Sequence, residues 1–218
     1  MSMSTLVQSL SLSALLAVAG MPVLAQEAAA PDATATEAAA PADPAAPTEV
    51  LEMGTEAPVV LTAETATVGQ GYLASTMDQW EVRCEKAAEG TDPCQLFQLL
   101  KDADGNSVAE FSIFALPKGG KAAAGATVVV PLETLLTSNL TIAIDTAAAK
   151  VYPFTFCTQV GCVARIGFTG PEIDQFKKGA KATVTIVPAA APEQKVDLAI
   201  SLKGFTAGFD AVQASLPQ

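Results

Sequence analysis

Apolar and polar residues alternate in three short stretches of this chain: Trp80-Glu81-Val82-Arg83-Cys84, Leu140-Thr141-Ile142-Ala143-Ile144-Asp145 and Val196-Asp197-Leu198-Ala199-Ile200-Ser201-Leu202. A period of two sends one set of side chains inward and the other to water, as in an antiparallel sheet with one solvated side. Other runs are apolar at both parities: Cys94 to Leu100, Val108 to Leu116, Lys150 to Cys157, Cys162 to Phe168 and Ala182 to Val187. These predict strands covered on both faces, with Trp80, Tyr152, Phe154, Phe156 and Phe168 mainly in the core. Asp104-Gly105, Gly119-Gly120 and Gly161 fall between runs and suit hairpins and loops. Helical pattern is scarce. Pro171 to Gly179 predicts two turns that dock through Ile173 and Phe176, with proline near the start, acids early, lysines late and glycine as the stop. A second short helix is expected from Thr206, as N-cap, through Phe209 and Val212. Short strands with one or two short helices predict an all-β fold, a mainly antiparallel β-sandwich or barrel-like sheet pair.

The chain ahead of these runs differs in kind. Leu12 to Ala19 is a short apolar run, well below the roughly 20 residues a membrane-crossing helix needs. Val23 and Ala25 stand at the small-residue positions of a secretory cleavage site, so residues 1–25 read as a signal peptide cut after Ala25. No Lys or Arg precedes the run, which departs from the usual pattern. No cysteine lies near the cut, so lipid anchoring there is excluded. Residues 26–70 are rich in Ala and Pro, contain no aromatic residue and no base, and hold eight acids. Prolines at 31, 41, 44 and 47 interrupt any Ala-driven helix, and the apolar bulk is too small to offset ordering entropy. This predicts a disordered acidic tether. Residues 71–218 remain as one β domain, long enough to bury about two-thirds of its unfolded surface. The expected location is the periplasm or the exterior, with no transmembrane segment in the mature chain.

Charge and composition then remove whole classes of function. The chain has 23 acidic and 12 basic residues and a net charge of −11. Most of that charge belongs to the tether, since residues after 70 hold 15 acids against 12 bases. A protein built to neutralise nucleic-acid phosphates needs clustered bases, so no nucleic-acid partner is expected. Histidine is absent, which excludes Ser–His and Cys–His nucleophiles and His-ligated metals.

The four cysteines form two local couples. Cys84 and Cys94 flank one expected turn, and Cys157 and Cys162 flank another. Three connectivities are open in principle, and an even count in an exported chain favours disulfides, with local pairing. The ten-residue separation of Cys84 and Cys94 is too long for the usual zinc spacing, and neither couple is C-x-x-C. Lys101-Asp102-Ala103-Asp104-Gly105-Asn106 has its glycine in the wrong place for a calcium loop and Ile113 where the closing Glu belongs. Pro117-Lys118-Gly119-Gly120-Lys121 is followed by alanine, so it is no phosphate loop. Ser201 and Lys203 share a predicted solvent face, where nothing desolvates the lysine. The acid pairs Asp102/Asp104 and Glu172/Asp174 sit on a turn and a helix start, where carboxylates are ordinary. No catalytic constellation, cofactor site or metal site emerges, and the expectation is a protein that is not an enzyme. Three classes of function stay open: an envelope interaction domain with an unknown protein or envelope partner, a binding module for a small apolar ligand held between sheets, and a hydrolase using carboxylates alone.

A longer pattern is more specific. Trp80-Glu81-Val82-Arg83-Cys84 precedes Cys94-Gln95-Leu96. Val128-Val129-Val130-Pro131-Leu132, Leu140 to Asp145, Tyr152-Pro153-Phe154, Cys157 and Gly161-Cys162 then lead to Ser201-Leu202-Lys203-Gly204-Phe205-Thr206. In this order the chain resembles the invasion-associated locus B (IalB) family of alphaproteobacterial exported proteins, over about residues 75–213. Glu133 stands where that pattern often has a small residue, and Gly208 where it has Ala. The resemblance implies a periplasmic or envelope-associated β-rich domain, linked in pathogenic members to host-cell entry. It implies no defined catalytic residues.

Overall fold

The computed structural model describes residues 59–216. The signal segment 1–25 and most of the tether lie outside the described residues. From Gly71 on, eleven strands pair into one antiparallel sheet, and two helices pack against it.

At its centre stand β3 (Cys94–Lys101) and β4 (Ser107–Ala115), joined by a hairpin. Asp102 builds that turn: its carboxylate accepts from the Asp104 N–H at 3.0 Å and from the backbone and side chain of Asn106 at 2.8 and 3.0 Å. The acid pair in this turn is thus a backbone device. β5 (Ala124–Val130), β9 (Cys162–Phe168) and β8 (Phe156–Cys157) continue the sheet on one side. On the other side β3 is shared. Its first half pairs with β2 (Trp80–Glu85), which pairs in turn with β1 (Gly71–Met77). Its far end, at Lys101, pairs with β11 (Val196–Ser201), which leads to β10 (Lys181–Ile186), β6 (Leu140–Ile144) and β7 (Lys150–Tyr152).

Where β2 gives way to β11 the ladder is interrupted, and a side chain completes it. The buried Gln98 amide accepts from the Ser201 N–H at 2.8 Å and donates to the Ser201 carbonyl at 3.2 Å. The same carbonyl accepts from Trp80 Nε1 at 2.8 Å. Buried polar groups of this kind need such partners.

The result is a single curled sheet, not a sandwich of two. Its end strands β7 and β8 are consecutive in the chain and separated only by Pro153-Phe154-Thr155. Three residues reach roughly 10 Å at full extension, so the sheet's two ends must come close together. The run from Lys150 to Cys157, expected as one strand, is broken there because Pro153 has no N–H to give to a ladder.

The concave side is filled. Trp80, Phe111 and Phe168 from the strands meet Phe176 of α1 (Gly170–Lys178) and Phe205 of α2 (Phe205–Ala214), all five buried. Ring centroids lie 5.4 Å apart for Trp80–Phe205, 5.1 Å for Phe168–Phe176 and 5.3 Å for Phe176–Phe205. Burying each such side chain stabilises the fold by roughly 1.5–3 kcal/mol. The helices and their aromatics thus pack against the inner face of the sheet.

Helix α1 follows from local chemistry. Thr169 precedes it, Glu172 reaches back to the Thr169 N–H at 2.8 Å, and Lys177 and Lys178 close the last turn. Helix α2 starts two residues earlier than a Thr206 N-cap would give. Its N-cap is Gly204, in the left-handed region at φ +84°, where a Cβ would run into the Met77 carbonyl. Thr206 instead donates its hydroxyl to the Lys177 carbonyl at 3.2 Å, tying the two helices.

Residues 59–70, assigned above to the tether, are partly built into the domain. Ala66 is buried, Leu61 and Ala63 pack against the core, and the Leu73 N–H donates to the Leu61 carbonyl at 3.1 Å.

Candidate functional site

The residues with chemical potential are dispersed. Cys84 is bonded to Cys94 and Cys157 to Cys162, each couple directly opposite across a strand pair, β2–β3 and β8–β9. The disulfides therefore lock two hairpins, as the local-pairing argument expects. Lys118 and Lys121 are exposed in the β4–β5 loop. Lys203 pairs with Asp78 at 2.7 Å, while the neighbouring Ser201 backbone serves Gln98 and Trp80. Lys177 pairs with Asp210 at 2.7 Å. Among the described residues, no group of three or more acids or cysteines could hold a metal.

Two titratable clusters among the described residues are partly buried: Tyr72 donates its hydroxyl to Asp92 at 2.7 Å beside Lys86, and a second cluster lies at the seam where the sheet's ends approach. Glu172 of α1 accepts from Lys150 Nζ at 2.7 Å and from Thr169 Oγ1 at 2.6 Å, so it staples edge strand β7 to the helix. Burial pushes its carboxyl up, but the Lys150 ammonium and the Thr169 donors outweigh that and hold it below the ordinary 4.5. Tyr152, facing the same carboxylate, is pushed up to about 12 by burial first and by the Glu172 charge second. Each group at the seam has a structural partner, and none of them lines either of the grooves described below.

Spatial organisation appears instead on the outer face of the sheet. Strands apolar at both parities are fully covered on the concave side and only in part on the other, where Phe97 and Val163 are buried but Leu99, Phe114 and Phe156 are not. Their outward residues form rows across β2, β3, β4, β5, β9 and β8. One row runs Leu99–Glu110–Val129–Val163–Phe156, another Glu81–Phe97–Ser112–Thr127–Arg165. The Arg83 guanidinium lies 3.3 Å from the Phe97 ring centroid, and its Nε donates to Glu81 at 2.7 Å. Phe114 spreads over Gly125, whose missing Cβ makes room for the ring. Leu99, Phe114 and Phe156 remain exposed. Phe156 therefore leaves the core list drawn from its strand run: it sits on the outward parity of the short strand β8, against Arg165.

One groove indents this outer side, and a larger one opens at the end of the sheet, where residues of both faces meet the end of α2. The larger, about 880 Å³, lies at the β1–β2 end among Val60, Leu61, Leu73, Arg83, Phe114 and Leu216. The smaller, about 380 Å³, lies at the opposite end of β3–β4 among Leu99, Val108, Glu110, Leu132, Glu133 and Val160. These outward residues were missed as a site because parity says which side chains share a face, not whether the face is covered. The one signal available was the excess of both-face apolar strands over what two short helices can cover.

Comparison with known proteins agrees with this architecture. The family model for invasion associated locus B (IalB) protein matches residues 80–213. Invasion protein B homologs of Brucella abortus, from strain 2308 and from biovar 1 strain 9-941, are each 29% identical over 146 residues. The aligned region is 67% of this chain and 82% of theirs. The crystal structure of invasion associated protein b from Bartonella henselae matches with a TM-score of 0.54 and 18% identity. It covers 64% of this chain and 95% of that one, a likeness of fold. From Trp80, the first residue of β2, to the last turn of α2, the chain belongs to the invasion associated locus B family.

Proposed function

We propose that this chain is an exported, non-catalytic domain that acts by presenting the outer face of its sheet to a protein or envelope partner. The observation that carries the reading is the contrast between the two faces. The concave side is filled by aromatic packing, whereas the outer side leaves Leu99, Phe114 and Phe156 exposed and carries an open groove. Exposed apolar surface of this kind marks interaction sites in soluble proteins. Export is supported by the two hairpin disulfides, which persist in oxidising compartments, and by the apolar run ending at Val23-Leu24-Ala25. The names of the Brucella and Bartonella relatives attach them to invasion, whereas the envelope role proposed for this chain rests on its export features and its exposed face.

A second reading has one specific observation behind it. The 880 Å³ groove falls within the range of small-molecule sites and is mostly apolar, so an apolar ligand would bind there, outside the sheet. Native mass spectrometry of the chain recovered from an exporting host separates the readings. The expected species begins at Gln26, carries both disulfides and has no bound small molecule. A stoichiometric lipid-like adduct would favour the ligand carrier. Turnover abolished by one carboxylate substitution, with folding intact, would overturn both readings.

A further inference from the structure

Resting on the surface reading, we propose that the smaller groove is the docking point, and that its partner is a basic protein segment inserting an apolar side chain. Three of the groove's apolar walls are conspicuously uncovered: Leu99 is 44%, Leu132 52% and Val160 83% exposed. The charged residues in its lining are Glu110 and Glu133, both exposed and neither in an ion pair among the described residues. Lys101, the next outward position on β3, is not part of the lining. An apolar hollow rimmed by two uncompensated carboxylates is complementary to an apolar anchor flanked by Lys or Arg, and repels an acidic segment.

Val160 is also held in place. It sits at the tip of the β8–β9 hairpin, between Cys157 and Cys162, which are bonded to each other. The Thr158 N–H donates to the Gly161 carbonyl at 2.9 Å, and the Val160 N–H donates to Thr158 Oγ1 at 3.2 Å. Gly161 packs so close to the Val130 carbonyl that a Cβ would not fit, which seats the hairpin against β5. A fixed, exposed apolar side chain loses little conformational freedom on binding, which favours affinity. The disulfide thus acts as the support of a contact residue as well as a fold crosslink.

The test uses the full oxidised chain, isotope-labelled for NMR, titrated with a short peptide of alternating Leu and Lys and with its Leu–Glu counterpart. The Leu–Lys peptide should shift the amides of Leu99, Glu110 and Val160, and the Leu–Glu peptide should not. Val160→Asp and Leu132→Asp, both at exposed positions, should each weaken binding about tenfold, about 1.4 kcal/mol, without changing the rest of the spectrum. The double variant Glu110→Lys, Glu133→Lys should reverse the preference between the peptides. Equal binding of both peptides, wild-type affinity in Val160→Asp, or no shift at all would overturn the inference. Shifts confined to the larger groove would also overturn it, yet leave the surface reading standing. That reading falls on the adduct and turnover results above.

Discussion

Ser201-Leu202-Lys203-Gly204-Phe205, the most specific motif of the chain, gives each of its residues a separate physical task. Ser201 offers its backbone to Gln98 and Trp80, Leu202 is buried, and Lys203 holds Asp78. Gly204 takes the left-handed turn against Met77, and Phe205 enters the aromatic cluster between Trp80 and Phe176. None of these tasks is catalytic: the motif joins strand, helix and core. Its weakest point is polar. Replacing Gln98 by Leu keeps the bulk but strands the Ser201 N–H and one bond to its carbonyl in a buried place. The expected loss is about 1–3 kcal/mol, read by urea unfolding, with no change in secondary structure by circular dichroism. A Gln98→Leu variant as stable as the parent would show that the ladder gap is closed by something else.

Among the elements, α1 and the end strand β7 are joined by a contact that depends on pH. Glu172 is held below the ordinary 4.5, so its staple to Lys150 contributes stability at neutral pH that is lost as pH falls from about 4.5 through its folded value. Tyr152 runs the opposite way: its neutral form is favoured, so its contribution is complete below pH 10 and lost as pH rises toward about 12. Lys150 is largely exposed, which screens the pair. Glu172→Gln should therefore cost about 1 kcal/mol at pH 7 and flatten the acid limb of a stability–pH curve, with a smaller change on the alkaline limb because burial, the main cause of the Tyr152 shift, remains. An unchanged acid limb would remove Glu172 from its role at the seam.

Helix α1 was legible in the sequence because its proline, acids, lysines and stop lie within one local window. The alternating strands β2, β6 and β11 were legible for the same reason. Strand β1 was not, because Gly71, Ala74, Ser75 and Thr76 give no apolar period, and its conformation follows from pairing with β2. The disulfide hairpins could be read from spacing. The curl of the sheet and the partly bare outer face could not, since both depend on which distant strands share an edge.

At the scale of the whole molecule, a filled interior keeps the shape of the sheet, and its outer face leaves large apolar residues exposed. The acidic N-terminal stretch would by its composition give such a domain reach from an attachment point. The most direct measurement places a photo-crosslinking residue, one position at a time, in cells that export the chain. Outer-face positions Leu99, Phe114, Leu132 and Val160 are compared with Thr206 and Gln213 on the helix side. The account predicts a discrete crosslinked species from outer-face positions and none from the helix positions. Crosslinks of equal yield from both sides, or from the helix side alone, would contradict it.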